Sequence, residues 1–214
     1  MELISKVSLI IHIIAGFTAL ATGAVAIFTK KGGKAHTSAG KIYYWAMTLV
    51  AITALILSLY KNIIFLLLIA IFSYYLTFTG YRSLKIKLLK EGESVKILDW
   101  SMLGISSLTG LVMIGISVLQ MVNLPQVIGL FGAIMVIFSI NDYLYFSKKR
   151  AEKQKWLFRH IGRMCGAYIA TFTAFLVVNV ESNPDFLAWI LPTIIGTPLI
   201  AYYIRTYKKK FQKA

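Results

Sequence analysis

His36 and His160 are the two side chains of this sequence whose type and position best suit a shared ligand. Neutral imidazoles on different helices at similar depth could ligate a haem from both faces, as axial histidines do. Arg163 and the lysines of the 30–34 loop would then suit the propionates. With Asp142 as a third ligand, His36 and His160 could instead hold a divalent metal such as zinc, leaving a position open for water. That set would make an intramembrane hydrolase acting on lipid. Arg163 beside such a metal would weaken its binding, yet could hold a phosphate-bearing substrate. A third reading has no chemistry in it: Asp142 and Arg163 form an ion pair that locks two helices together, because charges inside a membrane pair with one another.

The other polar candidates divide by place. His12 lies roughly 8 Å in from the opposite end of its helix at 1.5 Å rise per residue, so the three histidines cannot make one compact metal site. It shares a helix face with Gly16, Ala19, Gly23 and Ala26. Small residues at that spacing let a neighbouring helix pack closely, or leave a groove for a flat cofactor or lipid tail. Asp99 opens a helix, where the dipole favours a carboxylate cap. Asn141 adjoins Asp142, and Ser73, Thr77 and Tyr81 recur every four residues as a polar stripe that could line the same cavity. Thr37 and Ser38, just after His36, read as N-caps of the second helix.

These residues must be carried by membrane-spanning helices. Of 214 residues, 58% are hydrophobic and 14% charged, and the mean hydropathy is +0.73, more apolar surface than a soluble domain can hide. The apolar runs 7–28, 42–60, 63–81, 100–122, 127–146, 156–180 and 186–204 are each long enough to cross a bilayer. Only Lys61-Asn62 separates the second run from the third, but merging them would give a helix too long for any membrane. The predicted fold class is therefore all-α, a single domain of seven transmembrane helices. The first run reads as a spanning helix rather than a removed signal.

The basic residues orient it. With the N-terminus outside and the C-terminus in the cytoplasm, 21 of the 23 Lys and Arg fall on the inner side, leaving Lys6 and Lys61 outside. That is the one-sided bias of the positive-inside rule. It also accounts for the net charge of +15 without nucleic acid as a partner. The expected partners are the lipid bilayer and a small amphipathic ligand. The single cysteine, Cys165, excludes an intramolecular disulfide and any Cys-x-x-Cys site. Pro192, Gly196 and Pro198 predict a kink in the last helix.

Several segments together carry a resemblance. They are His12-x-x-x-Gly16 with Gly23, Lys31-Gly-Gly-Lys-Ala-His36-x-x-x-Gly40, Asp99-Trp100, Trp156-Leu-x-x-His160-Ile-x-x-Met164, Thr173-Ala-Phe175 and Pro192-Thr-Ile-Ile-Gly-Thr-Pro198. Over most of its length the chain resembles a family of bacterial polytopic membrane proteins catalogued as a domain of unknown function, in its Bacteroidetes-type branch. The resemblance implies a small multi-pass protein of the bacterial cytoplasmic membrane. A helical histidine, a Lys-Gly loop and a second histidine are also similar to haem-binding membrane cytochromes of the b561 type. Those place four histidines in pairs, whereas His12 has no histidine partner on its side.

Overall fold

The computed structural model describes residues 2–86, 95–147 and 154–212. Among them lie seven helices: α1 Glu2–Phe28, α2 Lys34–Lys61, α3 Ile64–Arg82, α4 Ile97–Val118, α5 Pro125–Phe146, α6 Lys155–Asn179 and α7 Phe186–Gln212. Each is long and apolar enough to cross a membrane, as the hydropathy pattern requires. Lys87, Lys90, Lys148, Lys149, Arg150, Lys153 and Lys213, which the orientation argument counts, lie outside the described residues.

Helix α2 starts well before its apolar run. Gly33, in an extended conformation, is its N-cap, and His36 stands in its first turn. Thr37 and Ser38 therefore do not cap it. The Thr37 hydroxyl instead bonds back to the Gly33 carbonyl at 3.0 Å. The apolar run marks where lipid-compatible residues begin, and a helix with satisfied backbone groups can continue past that point. Helix α7 likewise runs unbroken through Pro192 and Pro198 to Gln212.

Three sequential pairs, α1–α2, α4–α5 and α6–α7, pack side by side, and α3 stands among them against α2, α4, α5 and α6. The molecule is apolar outside and partly polar within. Large side chains such as Leu3, Phe28, Leu108 and Ile194 are exposed, while Thr53, Thr77, Thr79, Ser106, Ser139, Asp99, Asp142 and Arg163 are buried. Water would penalise both features; a hydrocarbon solvent favours the first and makes internal pairing obligatory for the second. Most buried hydroxyls solve this locally by donating one turn back, as in Thr77 to Ser73 O, Thr79 to Tyr75 O and Ser139 to Met135 O.

The α4–α5 seam shows why small residues occur where they do. A Cβ on Gly132 would lie 2.9 Å from the Gly110 carbonyl oxygen and 2.8 Å from the Met113 Cβ. The two backbones touch there, and Ser106 and Ser139 share a 2.8 Å hydrogen bond along the same seam. Gly132→Ala is expected to cost about 1–3 kcal/mol by overpacking, read as a lowered thermal midpoint of the purified protein. Gly16→Ala, where a Cβ meets open space, should not lower the midpoint and should raise it slightly, since alanine favours a helix interior over glycine by about 0.5–1 kcal/mol.

Candidate functional site

The costly residues gather at the end of the bundle that carries the basic loops. Asp142 of α5 is buried, and its carboxylate is the hub of four side chains from three helices. Oδ1 accepts Arg163 Nη2 at 2.6 Å and Arg159 Nη1 at 2.7 Å, both from α6. Oδ2 accepts the Tyr75 hydroxyl of α3 at 2.7 Å. Three short donors on one carboxyl group require it to be ionised. Two guanidiniums against one carboxylate leave the cluster with one net positive charge. Arg163 also donates to the Phe138 carbonyl at 3.0 Å and lies over the Phe138 ring at 3.9 Å. Its Nη1 is buried with no hydrogen-bond partner among the described residues.

Glycine makes this possible. A Cβ on Gly80 would sit 3.0 Å from the Arg163 Cβ and 2.8 Å from the Met164 sulfur, so α3 and α6 approach closely only because residue 80 has no side chain. The Asp142–Arg163 pair was readable from matched depth. Arg159 was not, although it stands one turn before Arg163 on the same face, because it reads as one more basic residue of an inner loop. Tyr75 carries no signal that separates it from a packing aromatic.

The same turn of α6 brings in His160. Its Nδ1 bonds to the Gly80 carbonyl at 3.0 Å, and the Nδ1 of His36 bonds to the Ala26 carbonyl of α1 at 2.9 Å. A carbonyl only accepts, so each Nδ1 carries the hydrogen; in a neutral ring the lone pair is then on Nε2. The two ring centroids are 6.4 Å apart with planes at 83°. Helices α2 and α6 have no close backbone approach among the described residues. Side chains bridge the space between them: the imidazoles at the basic end, and deeper down Tyr43, whose hydroxyl shares a 3.1 Å hydrogen bond with Thr171.

Asp142 is not part of this pair, since both its oxygens are held by Arg159, Arg163 and Tyr75. Among the described residues no group of three or more His, Cys, Asp and Glu side chains converges to hold a metal ion. The set His36, Asp142 and His160 is thus split between two neighbouring clusters.

The remaining candidates have local partners. His12 bonds through Nδ1 to the Thr53 hydroxyl at 2.9 Å. Thr53 gives its own hydrogen to Leu49 O at 2.7 Å, so His12 is the donor and joins α1 to α2. Asp99 accepts the Lys96 backbone N–H at 2.9 Å, the expected cap, and also a two-pronged bond from Arg82 at 2.7 and 2.9 Å. Asn141 is exposed and faces away from Asp142. Ser73 and Thr77 bond to carbonyls of their own helix, and Tyr81 stacks on Tyr44 with centroids 4.1 Å apart.

Between α1 and α2, the Lys31 ammonium folds back onto the carbonyls of Ala26 and Ile27 and closes the end of α1. Burial lowers its pKa from the ordinary lysine value, with Cys165 opposing that shift. The Ala26 carbonyl therefore serves both Lys31 and His36. The chain matches no protein-family model, no curated protein and no solved structure.

Proposed function

We propose that the chain is a multi-pass protein of the bacterial cytoplasmic membrane, N-terminus outside and C-terminus inside, that binds a cofactor between His36 and His160. The charge asymmetry and the resemblance to bacterial polytopic membrane proteins support the setting. One observation carries the site: two imidazoles from different helices, ring centroids 6.4 Å apart, each with its Nδ1 tied to a backbone carbonyl. That tie is the outer-shell contact that metal-ligating histidines make, because it fixes the ring orientation.

Haem is the cofactor this pair suits. The 6.4 Å centroid separation would let both imidazoles bind one metal ion at the usual nitrogen–metal distance of about 2 Å. Haem would need only these two ligands from the protein, whereas structural and catalytic zinc sites take three or four protein ligands. When bound, haem supplies one-electron redox chemistry. His36 and His160 would hold it, the lysines of the 30–34 loop would suit its carboxylates, and Arg163, bonded to Asp142, fixes the turn of α6 that presents His160.

A second reading rests on the same hydrogen bonds. His36 joins α2 to α1 and His160 joins α6 to α3, so both could act as interhelical clamps without a ligand. The visible spectrum separates the two. Protein purified from haem-replete cells should show a Soret band and reduced α and β bands at about one haem per chain; a colourless protein that still melts cooperatively would leave only the clamps. For the setting, a reporter fused to the C-terminus should be active only as a cytoplasmic protein, and a periplasmic enzyme fused there should be silent. The reverse pattern would invert the orientation.

A further inference from the structure

Helices α1 and α7 both pack on α6 but have no close backbone approach to each other. At the basic end they flank an open crevice of about 350 Å³. One wall is the end of α1, with Ile27 and Phe28, the latter 88% exposed, and the other is α7 with Tyr203 and Tyr207. Lys30 and Lys31 stand at the rim. The Lys31 ammonium is held beside it on the α1 carbonyls. Farther along α7, Arg205, Lys208 and Lys209 are exposed.

The charge of this crevice has no internal counterpart in the sequence nearby. No Asp or Glu occurs between Glu2 and Glu91, nor after Asp185, so neither α1 beyond its first residue, nor α2, nor α7 carries a carboxylate. Neutralising anions must come from outside those helices. Below the rim Ile27, Phe28 and the Tyr203 and Tyr207 rings offer apolar surface beside the polar Thr29, and within a bilayer apolar surface of this kind is covered by hydrocarbon rather than water. One molecule with both features is an anionic phospholipid.

We propose that the α1–α7 crevice binds an anionic phospholipid of the inner leaflet, with its phosphate at Lys30 and Lys31 and an acyl chain against Ile27, Phe28 and Tyr203. This rests on the orientation proposed above, which puts the crevice in the cytoplasmic leaflet. It draws on Lys30 and Lys31, loop lysines offered above to a cofactor's carboxylates, and does not otherwise involve His36 or His160.

Native mass spectrometry of the full chain, released from micelles containing equal phosphatidylglycerol and phosphatidylcholine, tests it. One phosphatidylglycerol should be retained in preference. Lys30→Gln and Lys31→Gln should each weaken that preference about fivefold, Lys30→Arg should preserve it, and a Lys6→Gln, Lys61→Gln variant should behave as the parent. Equal retention of the two lipids, or a preference unchanged in the Lys30→Gln, Lys31→Gln variant, would overturn the proposal. So would displacement of the lipid by millimolar inorganic phosphate, which would make the rim a free-anion site. The C-terminal reporter distinguishes the failures: if it maps outside, the orientation falls together with this site, and if it maps inside while the preference is unchanged, only this site falls.

Discussion

Asp142→Ala should prevent the protein from accumulating in folded form. The substitution removes the single carboxylate that Arg159, Arg163 and Tyr75 share, leaving two guanidiniums in the bundle with no counter-charge. Breaking a buried ion pair by removing one partner costs about 3–5 kcal/mol, a large part of the stability of a domain this size. Arg163 is the worse placed of the two. Its side chain is 5% exposed against 12% for Arg159, so only Arg159 has a route for its charge to reach the surface.

The comparison variants separate charge from shape. Removing all three charges together, as Asp142→Leu with Arg159→Met and Arg163→Leu, should recover most of the loss, because a whole buried ionic group replaced by apolar residues is often neutral. Arg163→Lys should not rescue function of the cluster, since an ammonium cannot bond both Asp142 and the Phe138 carbonyl in the geometry of a guanidinium. Tyr75→Phe, which deletes one hydrogen bond, should cost about 1 kcal/mol. Thermal melting in detergent, followed by size-exclusion recovery, reads all four. If Asp142→Ala melts with the parent, the cluster is not what holds α3, α5 and α6 together.

The second large effect belongs to the histidines and has the opposite signature. His36→Ala and His160→Ala should each abolish the haem spectrum while lowering stability by only about 1 kcal/mol, the worth of one hydrogen bond to a carbonyl. His12→Ala loses a comparable hydrogen bond, to Thr53, and should leave the spectrum untouched. It stands 14 residues from Ala26 along α1, roughly 21 Å at helical rise. If all three alanine variants lower stability alike and none changes the spectrum, His36 and His160 are clamps as His12 is.

How much of this could be read beforehand follows from which force wrote each feature. Lipid selects long apolar runs, so seven helices were legible, but lipid does not dictate where a helix starts. The first turns of α2, with His36 among them, therefore went unread as helix. Depth matching found Asp142 with Arg163. It could not find Arg159 or Arg82, because both sit among basic residues whose excess the positive-inside rule already explains. Asn141 misled for a simpler reason: adjacent helical residues point about 100° apart, and only Asp142 faces inward. The 6.4 Å approach of His36 and His160 depends on α2 and α6 being spaced by large side chains rather than packed on each other. No local pattern encodes that spacing.

Electron paramagnetic resonance of the oxidised, purified protein tests the cofactor site most directly. Ligation by His36 and His160 predicts a low-spin ferric signal of the bis-imidazole type at about one spin per chain, converted to high spin or lost when either histidine is replaced by alanine. A high-spin signal in the parent protein, a low-spin signal that survives both replacements, or no haem signal from haem-replete cells would contradict it.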